Sequence, residues 1–433
     1  MDPRFRGGDE EPIGIRGMSE MRETRAAPRW AAAGLKDNER QIDMVGLRAY
    51  RMARLQAELR RRDYGAALLY DPMNIRYATG SRNMSVWTSH SPARYCFLPA
   101  EGKAILFDFH NCEHLSAGLE TIAEVRPARS FFFFGAGSRV EEKARAWAEE
   151  IAELVASHAG ANRRLAVDRL DPPGTAALLA RGIEIFDGQE SCELARAIKS
   201  EEEIACMTHA IAVCEAGMAR MREALKPGLS ENELWALLHE TNIRLGGEWI
   251  ETRILSSGER TNPWFQECGD RLIRPGDLVS FDTDLIGPFG YCADLSRTYF
   301  CGPGKPSEEQ RRLYGLALEQ IHFNIEKLMR PGMNLREASE LAWRIPNAFV
   351  KNRYSCVAHG VGLCDEWPKI THIQDREKSA YDGELVPGMT ICVESYMGEE
   401  GGREGVKLEE QVLITDKGCR TLSSFPFEEA LGA

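Results

Sequence analysis

The chain has 433 residues, 43% of them hydrophobic and 28% charged, with a formal net charge of -12. That length exceeds one ordinary core and fits two domains. No stretch approaches the ~20 apolar residues that span a bilayer, and the acidic balance argues against nucleic acid, whose binding rests on Lys and Arg, so the expected partner is a small molecule.

Residues 1–40 are rich in Arg, Gly, Pro and Glu and carry no apolar h-region; they read as a disordered tail, not a secretory signal. Apolar residues at Leu47, Tyr50, Met52, Leu55 and Leu59 predict an amphipathic helix over 47–62. A strand over 66–70 stops at Asp71-Pro72, and 95–98 and 104–107 flank a turn as a hairpin. A helix over 139–157, a strand over 165–167, a helix over 175–181 and a strand over 183–186 complete an alternating pattern, so a first α/β domain is expected over 41–194. One long helix, 195–218, is predicted to carry the chain into a second domain, 195–433. Ser230, with Glu233 three residues on, forms a capping box that opens the next helix. The 12 cysteines occur singly, without a C-x-x-C pair, which reads as reduced, buried thiols in a cytoplasmic enzyme.

The second domain carries the chemistry. In VSFDTDLIGPFGYCADLSRTYF, residues 279–300, Asp282 and Asp284 stand two apart on a predicted strand and project to one face. Gly287-Pro288-Phe289-Gly290 reads as the turn of a hairpin whose return strand brings Asp294 back beside them. Three carboxylates so close, with Arg297 the nearby cation in sequence, repel one another unless a metal compensates. His359 lies in SCVAHGVGLCDEWPKI, where glycines on both sides of Val361 permit close backbone approach. Glu394 ends the apolar run 390–393 and Glu409 stands among Val406, Leu408 and Val412, and a buried Glu without a partner is rare. Five carboxylates and one imidazole make an oxygen-rich site suited to two divalent ions such as iron, manganese, cobalt or zinc.

The ordered series FDTDL, YCADLSRTY, AHGVG, CVESYM and VKLEEQVLIT resembles the pita-bread superfamily of methionine aminopeptidases, Xaa-Pro aminopeptidases, prolidases and creatinase. The resemblance implies a mixed α/β fold: a creatinase-like N-terminal α/β domain, then a pita-bread domain with a curved antiparallel sheet. It also implies a homodimer, and metal ligands at Asp282 or Asp284, Asp294, His359, Glu394 and Glu409. The departures from the peptidase pattern are specific. Asp284 lies one residue too near Asp294 and Asp282 one too far. Trp264 and Phe265 stand in a stretch where the peptidases keep a histidine, and Asp365 and Glu366 stand where a second one follows the HGxG turn.

In these departures the chain resembles the superfamily's dimethylsulfoniopropionate lyases, which implies cleavage of that substrate to dimethyl sulfide and acrylate, with iron the favoured metal. A metallopeptidase of the Xaa-Pro type is the alternative. On the lyase reading Asp365 is the base that removes the α-proton and Tyr354 orients the substrate. Aromatic faces receive the sulfonium cation, with Trp87, Trp264, Phe265 and Trp367 as candidates and Trp87 reaching the neighbouring subunit's site.

Overall fold

The computed structural model describes residues 42–432; the tail expected over 1–40 lies outside the described residues. The first predicted helix forms as α1 (Met44–Arg61), with the Asp43 carboxylate accepting from the Gly46 N–H and Arg60 and Arg61 in the last turn, where the helix dipole favours cations. It buries Leu47, Leu55 and Leu59. A six-stranded mixed sheet follows, in the order β4-β3-β2-β1-β5-β6. Its strands are β1 (Ala66–Leu69), β2 (Tyr95–Pro99), β3 (Ala104–Asp108), β4 (Ile122–Pro127), β5 (Arg164–Val167) and β6 (Glu184–Asp187). The expected hairpin is β2–β3, antiparallel, while β1, β5 and β6 run parallel. Helix α2 (Val140–Ala159) covers one face, with Trp147, Ile151 and Val155 buried against Tyr95, Phe97 and Phe107. Full burial of each such side chain stabilises the fold by about 1.5–3 kcal/mol.

The single helix expected over 195–218 is two helices, α3 (Gln189–Arg196) and α4 (Glu201–Ala224). Ser200 opens α4 with a complete capping box to Glu203, and the intervening Lys199 gives its N–H to the Gly388 carbonyl. A residue whose side chain already satisfies the next turn's N–H groups starts a helix rather than continuing one. The predicted capping box at Ser230 forms at the start of α5 (Glu231–Arg244).

The remaining strands are antiparallel. A three-stranded group, β12-β9-β8, joins β8 (Leu255–Ser257), β9 (Leu278–Asp282) and β12 (Ser296–Phe300). A second, β11-β10-β7, joins β7 (Trp249–Ile250), β10 (Leu285–Ile286) and β11 (Cys292–Ala293). A five-stranded sheet runs β14-β13-β15-β16-β17, from β13 (Ala358–Val361), β14 (Asp365–Ile370), β15 (Thr390–Met397), β16 (Val406–Thr415) and β17 (Gly418–Thr421). Helix α6 (Glu308–Leu328) packs on β15 and β16 through Leu313, Ala317 and Ile321. Among the described residues no helix is long and apolar enough to cross a membrane. All 12 cysteines are free and most are buried.

Candidate metal centre and active site

The aspartate hairpin forms with a kink that strand periodicity did not convey. Strand β9 ends at Asp282, and Asp284 follows outside it with φ 34°, a left-handed conformation rare for a residue with a side chain. At the same level the return arm breaks at Asp294, between β11 and β12. The Thr283 hydroxyl bridges the gap, donating to the Ala293 carbonyl at 2.9 Å and accepting from the Leu295 N–H at 2.9 Å. The two aspartates therefore reach one centre by a turn of the backbone, not by the alternation of a continuous strand. Thr252 Oγ1 fixes Asp284 Oδ2 at 2.7 Å, and Ser296 Oγ fixes Asp282 Oδ1 at 2.7 Å.

The opposite wall is the five-stranded sheet. His359 on β13 faces Cys392 on β15, and Glu394 pairs directly with Glu409 on β16, so cross-strand register delivers the imidazole and two carboxylates to one face. His359 Nε2 lies 3.3 Å from Glu394 Oε1, 3.7 Å from Asp294 Oδ2 and 3.8 Å from Glu409 Oε1. Its Nδ1 sits 3.0 Å from the Gly360 carbonyl. With the proton on Nδ1 donated there, Nε2 is left as a lone-pair donor aimed into the cluster. The structure brings Asp282, Asp284, Asp294, His359, Glu394 and Glu409 together in overlapping groups.

The other oxygens of the same glutamates converge on Lys407, a residue the sequence reading passed over. Its Nζ lies 2.6 Å from Glu394 Oε2, 3.2 Å from Asp282 Oδ2, 3.3 Å from Glu409 Oε2 and 2.6 Å from Ser296 Oγ, with the side chain fully buried. The pattern that reveals it was present: Lys407, Glu409 and Gln411 alternate on one strand, so a lysine two residues from a buried Glu shares its face. Arg297, the cation noted in sequence, turns away and pairs with Glu410.

Electrostatics then divide the carboxylates. Burial opposes the Asp282 charge, but Lys407 and its hydrogen bonds outweigh that and hold it down at about 2. Burial pushes Asp284, Asp294 and Glu409 well above the usual carboxylate range, and their neighbouring negative charges push in the same direction. Burial also opposes charge on His359, yet Asp365 and Glu394 raise it overall. Fully ionised, the five carboxylates and one ammonium leave a formal charge of -4, which two divalent cations would cancel. Asp294 Oδ1 and Glu409 Oε1 are buried without a hydrogen-bond partner among the described residues. Oxygens left so cost about 1–3 kcal/mol or more each unless a ligand takes them. Asp282, Asp284 and Asp294 bring donor atoms within 4.8 Å of one another, as do Asp294, His359 and Glu409. The residues present fit a dinuclear centre.

Asp365 stands at the mouth. Its carboxyl is 58% exposed, and Oδ1 lies 3.6 Å from His359 Nδ1. Desolvation raises its pKa against the pull of His359, with Asp282 and Glu394 adding to the rise. The strand beneath it is clamped: Glu366 is buried between Arg196 at 3.0 Å and Lys199 at 2.9 Å, and the Trp367 N–H donates to Glu193 at 2.8 Å. Gly362 is required here because a Cβ would strike the Glu366 carboxylate.

The aromatic candidates separate. Tyr354 lies 4.6 Å from Lys407 Nζ to its ring centroid and stacks on Phe265 at 5.4 Å. Trp264 is buried 5.9 Å from the same ammonium. These three border the centre. Trp367 instead packs into the α6 core, with its ring beside Leu335 and Gly383. Trp87 lines a separate groove of about 800 Å³ with Met84, Val86, Leu115 and Trp249.

A five-stranded antiparallel sheet that carries an acidic, imidazole-bearing candidate metal centre, preceded by a mixed α/β sheet, defines the class as a pita-bread scaffold. The matching family descriptions are the creatinase/prolidase N-terminal domain over residues 51–198 and metallopeptidase family M24 over 205–416. The dimethylsulfoniopropionate lyase DddP of Roseovarius nubinhibens is 44% identical over 407 residues, covering 93% of this chain and 90% of that protein. DddP of Roseobacter denitrificans is 42% identical over 394 residues, covering 90% and 88%. Among solved structures, a prolidase from Thermococcus sibiricus matches with a TM-score of 0.70 at 22% identity, covering 87% of this chain and 97% of that one. The chain belongs to the pita-bread metallopeptidase superfamily, in the branch of those two DddP proteins.

Proposed function

We propose that this protein is a carbon–sulfur lyase that cleaves dimethylsulfoniopropionate to dimethyl sulfide and acrylate by base-promoted elimination. The observation that carries the reading is Asp365: an exposed carboxyl, raised in pKa, at the edge of a cluster whose other acids are half-buried or buried. A base must be reachable by its substrate and must hold a proton near the working pH. The dimethylsulfoniopropionate lyase activity of the two DddP relatives supports the same reading.

Asp282, Asp284, Asp294, His359, Glu394 and Glu409 would hold the two divalent ions, which when bound supply Lewis acidity towards the substrate carboxylate. Tyr354 keeps its phenolic proton, because burial and the charges of Glu394, Asp282 and Glu409 hold its pKa well up; it can donate a hydrogen bond to that carboxylate. Asp365 takes the proton from the α-carbon, and the released pair forms the carbon–carbon double bond. The bond to sulfur breaks and its electrons leave with neutral dimethyl sulfide. Phe265, 56% exposed and stacked on Tyr354, offers the sulfonium an aromatic face. Asp365 then returns its proton to solvent.

The peptidase alternative lacks support in the groups that would replace its histidines: Glu366 is committed to Arg196 and Lys199, and Trp264 is apolar and buried. Three further parts of the proposal are iron as the metal, a cytoplasmic location, and a homodimer with a domain division near residue 195 in which the Trp87 groove faces the partner. Metal analysis of protein purified without added ions and light scattering test the first and last. For the chemistry, headspace chromatography of dimethyl sulfide compares wild type with Asp365→Ala. Loss of general-base catalysis lowers the rate by about 10²–10⁴, and a variant as fast as wild type removes Asp365 as the base.

A further inference from the structure

We propose that Cys392 is a further ligand of the metal centre, giving the ion beside His359 a sulfur donor in an otherwise oxygen and nitrogen set. The placement follows from strand geometry. Thr390, Cys392 and Glu394 alternate on one face of β15, so the thiol shares its face with a glutamate of the centre. Cys392 is the direct cross-strand partner of His359, and such pairs bring Cβ atoms about 4.5–5.5 Å apart. Its sulfur and one donor atom each of Asp294, His359 and Glu409 all lie within 4.8 Å of one another, and all four residues are buried.

A second observation points to a ligand at the same place. Glu409 Oε1 and Asp294 Oδ1 are buried, with no hydrogen-bond partner among the described residues. Among the described residues the Cys392 thiol makes one hydrogen bond, donating to the Asp294 carbonyl oxygen at 3.7 Å, which leaves its sulfur lone pairs unengaged. None of the other cysteines belongs to a donor cluster of this kind among the described residues.

On binding, the sulfur–metal bond forms as the thiol gives its proton to solvent, with no change of oxidation state. The consequence is selectivity. A carboxylate and imidazole site takes manganese readily, whereas a thiolate donor favours zinc, cobalt or ferrous iron. The inference rests on the metal centre and is independent of the lyase chemistry.

X-ray absorption on the full chain loaded with zinc tests it directly. A sulfur shell at about 2.3 Å is resolved from nitrogen and oxygen at about 2.0–2.2 Å. The expected result is one sulfur for every two ions in wild type, absent in Cys392→Ser and retained in Cys292→Ser. Cobalt substitution adds a second readout, a sulfur-to-cobalt charge-transfer band lost in Cys392→Ser at unchanged cobalt content. Should Cys392→Ser fail to fold, the wild-type spectrum alone decides. Bound metal with only light-atom neighbours overturns the thiol ligand and leaves the centre standing; failure to bind metal at all overturns both.

Discussion

Replacing Lys407 with Met removes the ammonium that Glu394, Glu409 and Asp282 share at 2.6–3.3 Å. Met conserves much of the volume, so the perturbation is charge. Breaking a fully buried ion pair by deleting one partner costs about 3–5 kcal/mol, because the other charges stay buried and uncompensated. That is roughly two to three and a half powers of ten in the folding equilibrium. The cost should fall mainly on the metal-free protein, since ions bound by the same carboxylates replace the missing positive charge. Denaturant unfolding of wild type and Lys407→Met, each metal-free and metal-loaded, measures it. The variant is expected to lose about 3–5 kcal/mol without metal and to recover most of it with metal, so metal stabilises the variant more than wild type. An equal loss in both states would refute the argument that Lys407 and the ions share one role.

Three other outcomes follow from named contacts. Glu366→Gln leaves Arg196 and Lys199 facing a neutral partner; stability should fall by about 3 kcal/mol, and activity should drop at unchanged metal content as the strand carrying Asp365 loosens. Phe265→Ala should raise KM by about 2- to 30-fold with little change in kcat, the worth of a cation–aromatic contact of about 0.5–2 kcal/mol; an unchanged KM excludes Phe265 from sulfonium binding. Asp168, buried where it accepts from the Tyr70 and Asp71 N–H groups and Asn74, has its pKa raised to about 6 by burial. Its folded pKa exceeds the unfolded value near 4, so protonation favours the folded state. Its contribution is full below pH 4 and falls by up to about 3 kcal/mol as pH rises to 6. The stability difference between wild type and Asp168→Ala should shrink over that window, and a flat difference contradicts it.

Much of the site was legible because charged residues inside apolar strand runs are conspicuous: Glu394, Glu409 and the aspartate hairpin stand out against buried neighbours. Lys407 was not read, since a lysine at the end of a strand usually reaches solvent, and only register shows that it points inward. The turn at Asp284 was hidden because a left-handed φ at a non-glycine residue leaves no pattern in sequence. The break before Ser200 was legible from its Ser-x-x-Glu pattern, but the apolar residues on both sides suggested one continuous helix. Trp367 followed the acidic pair and was assigned to the site with it, whereas its ring belongs to the core beside Leu335.

The most direct test of the central claim is product stoichiometry from the metal-loaded wild-type protein given dimethylsulfoniopropionate, with dimethyl sulfide and acrylate measured in the same vial and Xaa-Pro dipeptides tried in parallel. Elimination at this site predicts the two products in equal amounts and no proline release. Proline release from the dipeptides without dimethyl sulfide would contradict it.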